Sequence, residues 1–244
     1  MCEHCPIPRN GLSRRGVLAG AGALLAASAL PLSQARAEQK APSDAPAPNA
    51  IAPSEALDRL MQGNARYAAN APNERDYSAA RAALAEAQFP IAAVVGCSDS
   101  RVVPDLVFDQ SPGSLFVVRL AGNIVDDDAF ASLEYAVKFL GAPLIMVLGH
   151  SNCGAVAAAI KVVMERVELP GHLPELIKAI KPAVIAAHGR HPGDLLAVAI
   201  EENVRLSMKR LISDAPVISE ALAGKTVAIA GGVYDIASGE VGLI

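Results

Sequence analysis

The sequence predicts an α/β fold, a mainly parallel central sheet flanked by helices and preceded by an N-terminal helical arm. Short apolar runs of strand length, Ile91 to Val95, Leu115 to Leu120, Leu144 to Leu148 and Thr226 to Ala230, recur between longer stretches of helical spacing. That alternation builds parallel sheets. The runs are rich in β-branched residues and almost free of polar interruption, as suits strands covered on both faces. Two of them lead directly into polar clusters, Gly96-Cys97-Ser98-Asp99-Ser100-Arg101 and Gly149-His150-Ser151-Asn152-Cys153-Gly154. The C-terminal ends of parallel strands are where ligands bind in open α/β sheets, so the two clusters are expected to converge there.

The chain begins with an address. Ser13-Arg14-Arg15-Gly16-Val17-Leu18 sets paired arginines before an uncharged run from Gly16 to Leu32, and Ala35-Arg36-Ala37 supplies a cleavage site. Residues 1–37 therefore read as a twin-arginine signal peptide, which predicts a periplasmic or otherwise exported protein. The apolar run is 17 residues long and contains Pro31, at the short limit for a membrane span. No stable membrane anchor is expected after cleavage. Cys2 and Cys5 would leave with the signal. Residues 38–53, rich in Pro, Ala, Ser and Asp, read as a flexible linker, and residues 54–244 as a single domain.

Within that domain Ser54 is expected to cap a helix carrying Leu57, Leu60, Met61 and Tyr67, the helical arm, and Ser78 to Ala87 reads as an Ala-rich helix. Ile91 to Val95 and Leu115 to Leu120 are the first two strands. Asp126-Asp127-Asp128 opens a helix to about Leu140, where acidic residues favour the N-terminal end of the dipole. Leu144 to Leu148 is the third strand, and a helix runs from Cys153 to about Val167. Helices over Pro174 to Ala187 and Asp194 to Ile212 precede the fourth strand, Thr226 to Ala230. The glycine-containing stretch Gly231 to Gly239 then turns into a last short strand.

Composition narrows the function. A formal net charge of -4 provides no basic footprint for nucleic acid, so none is expected as a partner. Gly231-Gly232 stands alone, without the rest of a dinucleotide-binding fingerprint, and tight backbone packing accounts for it better. Cys97 and Cys153 are the cysteines left in the domain. In an oxidising compartment two cysteines can form a disulfide. A second reading draws on His150, three residues before Cys153: Cys, His and Cys suffice to hold a catalytic zinc with its fourth position open. Twin-arginine export carries folded proteins, which would allow a metal to be loaded in the reducing cytoplasm.

These motifs resemble the β-class carbonic anhydrases. The likeness rests on C-x-D-x-R at Cys97, Asp99 and Arg101 and on H-x-x-C at His150 and Cys153. Gln88-Phe89-Pro90, Phe116-Val117-Val118-Arg119, Gly122-Asn123, Glu134-Tyr135-Ala136 and Tyr234-Asp235-Ile236 follow in the same order. It covers about Ser54 to the C-terminus and implies a β-carbonic-anhydrase-like fold. It also implies one zinc per chain on Cys97, His150 and Cys153, with Asp99 and Arg101 as a catalytic pair beside it. Gln88, Phe116, Ala121, Tyr135 and Gly154 are then substrate-binding residues for CO2 and bicarbonate. The family's pocket is completed across a homodimer, alone or within a larger oligomer, so Gln88, Phe116 and Tyr135 would serve a neighbouring subunit's zinc. Leu120 departs from the Asn usual in the family's R-N-x-x-N, and Ala121 is smaller than the common Val.

The implied reaction is attack of zinc-bound hydroxide on CO2, with Asp99 accepting a hydrogen bond and Arg101 holding Asp99 ionised. Hydrolysis of CS2 or COS by the same ligands is an alternative, and so is a zinc- or bicarbonate-binding protein without turnover. In some members the Asp of C-x-D-x-R closes onto zinc, and bicarbonate favours that form at a site using a Trp just upstream of the first Cys. Here Val94 stands at that place and the chain has no Trp, though Arg119 is present. Gln88 matches the plant-like, open-site subtype, so Asp99 as a metal ligand is expected in a closed form only, and the open form is expected near neutral pH.

Overall fold

The unbroken apolar runs become interior strands. In the computed structural model, which describes residues 47–78 and 81–244, every residue of β1 (Ala92–Gly96) and β3 (Leu144–His150) is buried. With β2 (Leu115–Arg119), β4 (Ala228–Tyr234) and β5 (Val241–Leu243) they form one sheet in the order β2-β1-β3-β4-β5. The first four strands are parallel, and β5 returns antiparallel to β4. The chain steps from β1 outward to β2, then crosses back past β1 to β3 and continues to β4. β1 and β3 therefore flank the topological switch point, whose crevice opens at the strand C-termini. Gly96 pairs with Leu148, which sets Cys97 and His150 at that crevice.

Alternate residues of the strands face opposite layers, as the two-residue period requires. Ala93, Val95, Ile145 and Val147 pack with α4 (Asp127–Lys138), α7 (Leu195–Ser213) and α8 (Pro216–Ala223) through Leu133, Val204, Leu211 and Ile218. Ala92, Val94, Leu144 and Met146 face α1 (Pro53–Ala68) and α3 (Pro104–Val107) through Ala56, Leu60 and Val107. A third cluster joins α5 (Gly154–Glu165), α6 (Leu173–His188) and α7, and it includes Cys97 and Cys153. None of the helices among the described residues is long and apolar enough to cross a membrane.

Several expectations are corrected. The N-cap of α1 is Ala52, which offers no side-chain acceptor, and Pro53 occupies the first turn; Ser54 lies inside the helix. Proline suits that position because its missing N–H would be unpaired there anyway. The helix expected over Ser78 to Ala87 is shorter, α2 (Arg81–Glu86). The fourth strand extends to Tyr234, so Gly231 and Gly232 lie within it and not in the turn that follows. A Cβ on Gly232 would stand 2.8 Å from Met146 Cε and 2.9 Å from Val241 Cγ1, which bears out tight packing. The sequence reading missed α3 and α8, each opened by a proline.

The signal peptide read over residues 1–37 and the linker's first residues lie outside the described residues. Inside the expected linker, Asn49 is buried, and its amide donates to Pro90 O at 3.1 Å and to Leu140 O at 2.7 Å. The chain is therefore tied to the domain before α1 begins.

Candidate metal centre

Each of the three ligand candidates sits where a strand ends. Cys97 follows β1, His150 is the last residue of β3, and Cys153 is the N-cap of α5. Only Ser151 and Asn152 separate His150 from Cys153, and Asn152 takes a left-handed conformation (φ 55°), which Asn tolerates better than most residues. Ser151 is pinned by its N–H on Tyr234 O, 2.9 Å, and by its hydroxyl accepting from Ile236 N–H, 3.0 Å. The two-residue reversal returns Cys153 over the strand ends, so the ligand atoms of Cys97, His150 and Cys153 lie within 4.8 Å of one another, all buried.

The donor set fits a metal. His150 Nδ1 lies 3.0 Å from Ser151 O. A carbonyl can only accept, so Nδ1 carries the proton and Nε2 bears a free lone pair. Nε2 is buried and has no hydrogen-bond partner, a state that costs about 1–3 kcal/mol unless something binds there. Cys97 and Cys153 are free thiols, so the disulfide reading is not what the fold builds. The hydrogen bond from Cys153 draws Cys97 down towards thiolate. The same contact, reinforced by burial, pushes Cys153 up. Side by side, the two sulfurs are pushed in opposite directions, and a divalent ion would let both bind as thiolates. Cys97 Sγ also accepts from Gly122 N–H at 3.2 Å and Asp99 N–H at 3.4 Å.

Asp99 and Arg101 form the expected pair at the edge of this cluster. Oδ1 accepts from Arg101 Nε at 2.9 Å and from Arg101 N–H at 3.0 Å; Oδ2 accepts from Nη2 at 2.8 Å. The guanidinium holds the Asp99 carboxyl well below the usual carboxylate range. Asp99 Oδ2 is 3.9 Å from His150 Nε2, near the ligand atoms but committed to Arg101. Arg119 straps the same turn from β2, through Nε on Cys97 O at 2.9 Å and Nη2 on Asp99 O at 2.6 Å.

The remaining expected residues divide between the two ends of the sheet. Ala121 adjoins Gly122 at the centre, and Gly154 opens α5 beside Cys153, where a Cβ would meet nothing within 4 Å. Gln88, Phe116 and Tyr135 are not brought to the ligands within one chain. Phe116 pairs with Ala93, four residues before Cys97, or about 13 Å along a strand. Its ring lies 6.3 Å from that of Tyr135, which lies 5.3 Å from Phe139. Tyr135, Phe139, Phe89, Leu84 and Gln88 line an open groove of about 690 Å³ at that end. Phe139 is 74% exposed.

The sequence reading missed Arg119's hold on the Cys97–Asp99 turn and the polar face of α7. Asn203 and Ser207 on that face are buried and bond the carbonyls of Gly122 and Asn123. The available signal was two polar residues four apart on an otherwise apolar helix face.

The chain is similar to known proteins over most of its described length. The profile of the carbonic anhydrase family matches residues 92–241, which include both motifs. The chain is 38% identical to carbonic anhydrase 2 of Mycobacterium tuberculosis (strain ATCC 25618 / H37Rv) over 182 residues, covering 74% of this chain and 87% of that protein. It is also 38% identical to a carbonic anhydrase of Mycolicibacterium smegmatis over 186 residues, covering 75% and 89%. Among solved structures, the β-carbonic anhydrase CcaA superposes with a TM-score of 0.60 at 30% identity, covering 77% of this chain and 94% of that one. A pair of tetrameric β-carbonic anhydrases from Sordaria macrospora is represented at 0.63 and 27%, covering 78% and 97%.

The geometry predicts one tightly held divalent ion per chain. Elemental analysis of purified protein should find it in the wild type, and Cys153→Ala should lose it, because neighbouring groups cannot replace a thiolate. Full occupancy in Cys153→Ala would contradict the ligand assignment.

Proposed function

Because the chain belongs to the β-class carbonic anhydrase family, we propose that it interconverts CO2 and bicarbonate at a zinc ion held by Cys97, His150 and Cys153. The observation that carries this reading is the buried, unpartnered His150 Nε2 facing two thiols, with an ionised carboxylate at the edge. Zinc there would supply hydroxide at neutral pH by lowering the pKa of a bound water to about 7. Asp99, kept ionised by Arg101, is an acceptor that can orient the attacking group and take its hydrogen bond. Ala121 offers an apolar wall suited to uncharged CO2, and Gly154 leaves room at the N-terminus of α5.

The pocket in this reading is shared between two copies. Gln88, Phe116 and Tyr135 lie at the opposite end of the sheet from their own chain's ligands, Gln88 and Tyr135 within an exposed aromatic groove of a kind that usually marks an interface and Phe116 against the Tyr135 ring. A two-fold dimer would carry each copy's groove to the other's crevice, where Gln88 could donate to a CO2 or bicarbonate oxygen and the two rings would exclude water. The open-site subtype is supported by Asp99, whose two oxygens are both engaged by Arg101, and by Val94 in place of the switch-site Trp. Arg119 donates to two backbone carbonyls instead of standing free. Export through the twin-arginine route to the periplasm is supported by Arg14-Arg15 and the apolar run that follows.

Stopped-flow CO2 hydration by zinc-quantified protein, run beside CS2 and COS hydrolysis, tests the activity. The expected result is saturable CO2 hydration by a dimer or a multiple of it, with mass fixed by light scattering. Asp99→Asn should lose about 100-fold in kcat/KM while keeping its zinc, within the range for a positioned acceptor. Hydrolysis of CS2 or COS without CO2 hydration, or zinc-loaded protein without turnover, would contradict the assignment. A fully active monomer would contradict the shared pocket. For export, Arg14→Lys with Arg15→Lys should leave the protein in the cytoplasm on cell fractionation, and undiminished export would exclude the twin-arginine route.

A further inference from the structure

Helix α7 supplies no candidate ligand, yet one of its faces is polar where its burial calls for apolar residues. Asn203 and Ser207 are almost fully buried. Asn203 Nδ2 donates to Gly122 O at 2.6 Å, Ser207 Oγ to Asn123 O at 3.0 Å, and the Arg210 guanidinium to Val125 O. The intervals of four and three residues stack these donors on one helix face. Arg210 is itself held over the Phe130 ring, 5.2 Å from its centroid.

The segment they grip departs from ordinary backbone. Gly122 and Asn123 have consecutive positive φ angles, 70° and 44°, and Asn123 pays the Cβ clash of that region. A Cβ on Gly122 would stand 2.7 Å from Ile180 Cδ1 and 3.2 Å from Ala155 Cβ, so the turn is squeezed by α5 and α6 as well. From within it the Gly122 N–H reaches Cys97 Sγ at 3.2 Å. On its β2 side Leu120 exchanges bonds with the Cys97 turn, through Leu120 N–H on Gly96 O and Ser98 N–H on Leu120 O. Inside the turn Asn123 N–H bonds Leu120 O at 2.9 Å, and the three donors of α7 fix the carbonyls of Gly122, Asn123 and Val125.

We propose that the Asn203, Ser207 and Arg210 face of α7 is a positioning element for the metal centre: by holding the carbonyls of Gly122, Asn123 and Val125 it keeps the Gly122 N–H on Cys97 Sγ, and so sets how tightly the metal is held and how strongly Cys97 donates to it. A hydrogen bond to a thiolate withdraws electron density from sulfur and fixes its direction. Groups that orient metal ligands in this way commonly alter affinity 10- to 100-fold when removed. If the α7 face only satisfied buried carbonyls, its loss would lower stability and leave the metal's properties unchanged.

This inference rests on the zinc site proposed above, and the experiment separates the two. Zinc affinity is measured by chelator competition, and the cobalt-substituted protein reports the sulfur-to-metal charge-transfer band, for wild type, Asn203→Ala, Ser207→Ala, Ser207→Thr and Arg205→Ala. Asn203→Ala and Ser207→Ala should bind zinc about 10-fold more weakly and move the cobalt band to longer wavelength, because Cys97 loses its N–H donor. Ser207→Thr retains a hydroxyl and should restore both values. Arg205, which pairs with Glu201 and Glu202 on the exposed side of α7, should be silent when changed. Should Asn203→Ala fail to fold, the Ser207 pair decides alone. Wild-type zinc affinity and an unmoved band in folded Asn203→Ala and Ser207→Ala, whatever their melting temperatures, would overturn the positioning role. A wild-type protein that binds neither metal would overturn the zinc site itself.

Discussion

Two thiols and an unprotonated imidazole nitrogen buried within 4.8 Å of one another are electron-rich groups with too few protons to satisfy them. Desolvation forbids both sulfurs from ionising side by side, and His150 Nε2 has no donor to accept from. A divalent cation would resolve all three demands at once by taking both sulfurs as thiolates together with the lone pair. The rest of the site is arranged around that requirement. Cys97 Sγ takes two backbone N–H bonds, His150 Nδ1 is tied to Ser151 O, and Asp99, which could compete for the metal, is bound through both oxygens by Arg101.

The fold delivers this arrangement through topology and small residues. Only at a switch point do neighbouring strands send their following segments apart and leave a crevice, and β1 and β3 are the strands that flank it here. Close approach is then required. A Cβ on Gly149, one residue before His150, would lie 2.6 Å from Val204 Cγ2 of α7. Gly122 admits α5 and α6 to the other side. Glycine at these places lets three helices close over the strand ends and bury the ligands.

What could be read from the sequence follows the range of the interactions. The parallel sheet was legible because each interior strand is a contiguous apolar run, and the ligands because each follows such a run within a few residues. Helices α3 and α8 were not, since four and eight residues are too short to establish a periodicity, although a proline opens both. The Gly231-Gly232 strand was cut short because its reason lies on partners distant in sequence, Met146 among them. Asn203 and Ser207 act on carbonyls more than 80 residues away; two polar residues on an apolar helix face mark the positions, but nothing local names their partners. Gln88, Phe116 and Tyr135 could be named only through family resemblance, for a physical reason: within one chain they meet none of the metal ligands.

The account depends most on the three ligands holding zinc while Asp99 stays with Arg101. The most direct measurement is a crystal structure of the zinc-loaded protein grown between about pH 7 and 8, in the range where a zinc-bound water ionises. The account predicts zinc on Cys97, His150 and Cys153, with both Asp99 oxygens still on Arg101. An Asp99 oxygen about 2.0 Å from zinc, the ordinary carboxylate bond length, would contradict it.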